Sequence, residues 1–80
     1  MQPEELKRLI ESALPSEYVT VTGDGRHFQA VVVSSAFAGK SMLEQHRMVY
    51  QSLGERFQTQ TLHALALKTY TPEEWQRMKS

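Results

Sequence analysis

The chain of 80 residues has no cysteine. Disulfide staples, thiolate nucleophiles and thiolate metal ligands are thereby excluded. A net charge is also lacking, since nine basic residues balance nine acidic ones. Strong sequence-blind binding to nucleic acid rests on phosphate neutralisation, and a neutral chain is poorly suited to it. No apolar run approaches the roughly 18 residues that a membrane span requires. The opening Met1-Gln2-Pro3-Glu4-Glu5 is polar and acidic, unlike a secretory signal, which points to a cytoplasmic protein. Internal repeats, low-complexity tracts and linkers are absent as well, so one domain over 1–80 is expected. A chain of this length buries only about 60% of its extended surface, and its core must be thin.

What is present reads as alternating helices and strands. Leu6, Leu9, Ile10, Ala13 and Leu14 follow the spacing of an amphipathic helix. Pro3 suits its first turn, Glu4 and Glu5 complement the positive end of its dipole, and Pro15 stops it. Tyr18 to Thr22 is aromatic and β-branched, hence a strand. Gly23-Asp24-Gly25 is a turn cluster, with glycines able to take positive φ. His27 to Val33 is the return strand, and its apolar end suits a central strand covered on both faces. Ser34 to Lys40 connects to a helix capped by Ser41 and Glu44. That helix carries Met42, Leu43, His46, Val49, Tyr50 and Leu53 as its apolar stripe, and Gly54 breaks or kinks it. Glu55 to Gln60 forms a further short turn of helix anchored by Phe57. Leu62 to Tyr70 is the third strand, and Thr71, Pro72 and Glu74 open a last helix reaching about Lys79.

The order is α-β-β-α-(α)-β-α. A right-handed crossover through the middle helix makes the second and third strands parallel. The expected fold is α+β: a three-stranded mixed sheet with helices packed on it, the topology of the type II KH-like fold. KH domains that bind nucleic acid clamp it with a G-x-x-G loop. None occurs here, so the topology carries no function of its own.

Catalytic motifs are missing: there is no G-x-S-x-G elbow and no H-E-x-x-H pair, and the chain is not expected to be an enzyme. The carboxylate pairs Glu4-Glu5 and Glu73-Glu74 sit in helix first turns, where the dipole explains them. Three histidines remain. His46 lies on the apolar stripe and is expected to be packed and hydrogen-bonded. His27 and His63 match no zinc spacing. They open the two parallel strands at the same end of the sheet, and this is the residue-level reason to look for a ligand site there. Arg47, Lys40, Lys68, Arg77 and Lys79 either form a basic face or are solvated surface residues. Trp75 or Tyr70, if exposed, marks a partner surface; the alternative is that the tryptophan closes the small core from the last helix.

Three blocks are similar to the BolA-like family: Gly23-Asp24-Gly25-Arg26-His27-Phe28, His46-Arg47-Met48-Val49-Tyr50, and the run from His63 to Trp75. Their spacing fits too, over nearly the whole chain. The short first loop most resembles the IbaG-like (YrbA-type) branch. The resemblance implies a BolA-like fold and a non-enzymatic partner of monothiol glutaredoxins. The pair would share a [2Fe–2S] cluster, with thiolates from the glutaredoxin and its glutathione. It implies that His63, at the start of the third strand, is a cluster ligand. Imidazole ligation raises the potential of such a cluster relative to all-thiolate ligation.

Many members of the family carry a second ligand, His or Cys, in the loop between the first two strands. That loop has neither here. Asp24, His27, solvent or the partner would fill the place. His27 is favoured over Asp24, because nitrogen suits iron in such a cluster better than a carboxylate. The family is also described as containing transcriptional regulators. This gives the alternative of DNA binding by the middle helix and C-terminal segment through Arg47, Lys68, Arg77 and Lys79. A third possibility is an interaction domain with no cluster role. The isolated chain would be a monomer or weak dimer without a cofactor of its own.

Overall fold

The computed structural model describes residues 2–24, 26–54 and 65–79. Helix α1 (Pro3–Ala13) starts on Pro3 and ends at Leu14, whose N–H still reaches the carbonyl of Ile10 at 2.9 Å. Pro15, unable to donate, follows it. Strand β1 (Tyr18–Gly23) turns back into β2 (Phe28–Val33). A one-turn 3-10 helix (Ser35–Phe37) precedes α2 (Met42–Leu53), then come β3 (Leu65–Tyr70) and α3 (Pro72–Lys79). The expected short helix over Glu55 to Gln60, with Phe57, lies outside the described residues, as do His63 and the first expected residues of its strand.

The strands lie in the order β1-β2-β3. β1 and β2 are antiparallel, with Tyr18 opposite Val33 and Gly23 opposite Phe28. β2 and β3 are parallel, with Phe28 opposite Leu65 and Val33 opposite Tyr70. The mixed sheet and the parallel crossover are as the sequence predicts.

Alternation along each strand divides the sheet into two faces. Val19, Val32 and Thr69 form one inner row, Val21, Ala30 and Leu67 the next, Phe28 and Leu65 a third. These rows meet Leu6 and Ile10 of α1 and Val49 and Leu53 of α2 in the core. The outer face carries the rows Tyr18–Val33–Tyr70, Thr20–Val31–Lys68 and Thr22–Gln29–Ala66. Val33 is fully buried although it points outward. Trp75 of α3 covers that end, stacked on Tyr18 at 5.1 Å and tilted against Tyr70 at 5.6 Å between ring centroids. The tryptophan thus closes the outer side of one sheet end rather than the main core.

Two helix starts are built as expected. Ser41 Oγ accepts the N–H of Glu44 at 3.2 Å. Thr71 Oγ1 accepts the N–H of Glu74 at 3.2 Å, while Glu74 Oε1 accepts that of Thr71 at 2.8 Å. Gly54 caps α2 with φ of 64°, a conformation favouring glycine.

The stripe of α2 is rotated from the expected one. Met42 and Leu43 are 71% and 61% exposed. The buried positions are Gln45, Val49 and Leu53, spaced four apart. Gln45 Nε2 donates to the carbonyls of Phe37 and Lys40, at 3.2 and 3.0 Å, and its Oε1 accepts Thr69 Oγ1 at 2.6 Å. One amide therefore ties the loop before α2 to the third strand, and a buried polar side chain is tolerated because it is fully paired. Ser34 is a second polar hub. Its Oγ donates to the carbonyl of Pro15 and accepts the N–H of Ala36, and its own N–H reaches the carbonyl of Tyr70.

Candidate functional site

The sequence places its candidate ligands where the strands open. Asp24 Oδ1 accepts two main-chain N–H groups there, from Arg26 and His27, each at 2.9 Å. The N–H of Asp24 donates to the carbonyl of His27 at 3.2 Å. The bond from His27, then that from Arg26, holds the Asp24 carboxyl below its ordinary value, because both stabilise the anion. One carboxylate oxygen is thus committed to the turn, and Asp24 acts here as a turn-former.

His27 is exposed and sits in the turn; β2 begins one residue later, at Phe28. This corrects the expected strand start. Its main chain is held at both N–H and carbonyl by Asp24, so the imidazole projects from a fixed backbone. Gly23 precedes the turn for a reason different from the expected one. Its φ is not positive. A Cβ there would lie 2.4 Å from the carbonyl oxygen of His27 and 2.7 Å from the Phe28 ring. Close approach of two backbones, rather than an unusual dihedral, demands the glycine. Gly25 lies outside the described residues.

His63 also lies outside the described residues. In sequence it stands two positions before Leu65, the residue paired with Phe28, and Phe28 follows His27. Among the described residues no three histidine, aspartate or glutamate side chains converge. His46 is half-buried, as a packed residue should be, yet its side chain makes no hydrogen bond among the described residues, contrary to expectation. The polar anchor of α2 is its neighbour Gln45. The line Gln45–Val49–Leu53 was visible in the sequence at helical spacing, but Gln45 does not count as apolar.

The four candidate cations do not share a face. Lys68 is exposed on the outer face of the sheet, and α3, carrying Arg77 and Lys79, lies over that side. Lys79 Nζ lies 6.0 Å from the Trp75 ring centre. Arg47 is exposed on α2, which packs against the inner face. The sheet lies between Arg47 and Lys68.

The order of helices and strands around a mixed β1-β2-β3 sheet is that of the solved BolA-type domains on which the chain superposes. The profile of the family described as BolA-like protein matches residues 1–74, and this chain belongs to that family. It is 38% identical over 77 residues to the acid stress protein IbaG of Escherichia coli (strain K12), spanning 96% of this chain and 92% of that protein. It is 42% identical over 77 residues to the DNA-binding transcriptional regulator BolA of Vibrio cholerae, spanning 96% and 69%. The solved structure of a BolA protein homologue from Coxiella burnetii superposes with a TM-score of 0.83 at 44% identity, over 96% and 99% of the two chains.

Proposed function

We propose that this protein is a cytoplasmic, non-enzymatic partner of a monothiol glutaredoxin, and that the two share or pass on a [2Fe–2S] cluster. His63 is the protein's principal ligand, and His27 is the second. The donor set fits a shared cluster better than a resident one. The chain has imidazoles but no thiolate, whereas such clusters are ordinarily held by cysteine. The glutaredoxin and its bound glutathione supply the thiolates. The observation that carries the reading is the register at the strand openings, where Phe28, next to His27, pairs with Leu65, two positions after His63. Asp24 is the weaker candidate, since one of its oxygens already accepts two N–H groups.

The test is titration into the cluster-loaded glutaredoxin, followed by visible circular dichroism. A new spectrum saturating near one-to-one is expected, altered by His63→Ala and more weakly by His27→Ala. Ligation requires neutral imidazole, so the shared spectrum should decay as pH falls through the range where imidazoles protonate. An unchanged glutaredoxin spectrum would refute the reading. A shared spectrum indifferent to His63→Ala would refute the ligand assignment alone.

Regulation of transcription by DNA contact is the second reading, favoured by the likeness to the DNA-binding transcriptional regulators BolA of Escherichia coli and Vibrio cholerae. It draws on Lys68, Arg77 and Lys79 on one side of the sheet, with Arg47 on the other.

A further inference from the structure

We propose that α3 is a lid on the outer face of the sheet, latched through Trp75 and able to open while the rest of the fold stays intact. No residue of α3 is buried, in contrast to α1 and α2, each of which buries at least two. Its ring contacts are the stack of Trp75 on Tyr18, at 5.1 Å and 22° between planes, and the tilted approach to Tyr70. Open grooves flank its first turn. Glu17, Gln76 and Arg77 line one, Ser35, Ala38 and Gly39 the other, and Pro72 and Glu73 edge both. Of its residues only Pro72 and Trp75 are half-buried, and the others are exposed.

Eight residues are too few for a helix to persist alone in water, where about 12–15 are marginal. Once Trp75 leaves its seat, α3 melts, and the chain entropy so gained favours the open state. The main core does not depend on it. Leu6, Ile10, Phe28, Val32, Val49 and Leu53 all pack on the inner face. Elements with few buried contacts open at a fraction of the global free energy.

Opening changes the surface in a defined way. It uncovers Val33, fully buried when the lid is closed, and frees the rings of Tyr18 and Tyr70 on either side of it. That row adjoins Thr20–Val31–Lys68, of which Lys68 is exposed and Thr20 and Val31 are half-buried with the lid in place. The open form therefore presents a continuous apolar and aromatic strip across three strands.

Trp75 is the only tryptophan, so fluorescence excited selectively at tryptophan, beyond the absorption of the tyrosines, reports on the surroundings of α3. In a urea titration the fluorescence change should precede the loss of far-ultraviolet circular dichroism. Under native conditions the amides of Trp75 to Lys79 should exchange at least roughly tenfold faster than those of Ala30 and Val32. Tyr18→Ala should speed exchange in α3 by about fivefold, the factor that one aromatic pair is worth, and leave Ala30 and Val32 nearly unchanged. Coincident fluorescence and dichroism transitions, with α3 amides exchanging only on global unfolding, would overturn the proposal. Equal loss of protection in α3 and β2 on Tyr18→Ala would also overturn it, since Tyr18 would then support the fold rather than latch the lid. If that variant does not fold, the wild-type measurements still decide.

Discussion

Gln45 does more for this fold than its residue type suggests. Its amide satisfies two loop carbonyls and the Thr69 hydroxyl at once. Replacing it by leucine keeps most of the volume but strands those groups, and should cost about 3 kcal/mol, the penalty for unpaired buried polar atoms. Thr69→Val should cost about 1 kcal/mol. In the double variant the two losses should add to less than their sum, as expected for groups sharing a bond. Urea unfolding of the four proteins decides it, and strict additivity would mean that the 2.6 Å contact contributes nothing. Asp24 gives a second residue-level prediction. Its folded-state pKa is lowered by the N–H groups of His27 and Arg26. Its ionised form therefore stabilises the fold above the unfolded carboxyl pKa of about 3.9, and that contribution disappears as pH falls through the lower folded value. The stability difference between wild type and Asp24→Asn should be constant near neutrality and shrink in acid. A difference independent of pH would mean that the charge on Asp24 is irrelevant to the turn.

At the level of elements, most of the fold was legible because each helix and strand announces its ends. Pro3 and Pro15, Ser41 with Glu44, and Thr71 with Glu74 all sit where the structure starts or stops a helix. Faces were less legible than boundaries. The apolar count assigned Met42 and Leu43 to the core, but the tertiary contacts of Gln45 turn α2 so that both are exposed. The 3-10 turn at Ser35–Phe37 had no sequence signal beyond the serine that caps it. Of the candidate site, the turn residues Asp24 and His27 were legible. Their division of labour was not, because it depends on which acceptor faces the two N–H groups. Glycines show the same limit, and two substitutions separate the reasons for them. Gly23→Ala should destabilise by about 1–3 kcal/mol through overpacking against the His27 carbonyl and the Phe28 ring. Gly39→Ala meets no atom within 4 Å but has φ of 76°, and should lose about 1–2 kcal/mol through the left-handed conformation alone. Gly39→Asn should recover part of that loss, since asparagine tolerates this region. Gly23→Asn should recover none. Thermal unfolding of the four variants tests both claims.

For the molecule as a whole, the sheet acts as a partition. The hairpin tip with Asp24 and His27, the outer face with its lid, and the solvent side of α2 are three separate surfaces on one small body. Net charge is zero, so binding to DNA would depend on where cations gather rather than on their number. Lys68 belongs to the outer face and Arg47 to the helix behind the inner face. A rigid duplex lying along one side cannot engage both. If the protein binds DNA from the outer face, Lys68→Ala should weaken binding to all sequences and lessen the salt slope by about one. Arg47→Ala should then leave affinity and slope as they are. The reverse pattern would move the interface to α2. Equal effects from both would require DNA to bend around the sheet edge, which a comparison of straight and pre-bent duplexes would expose as a preference for the bent one.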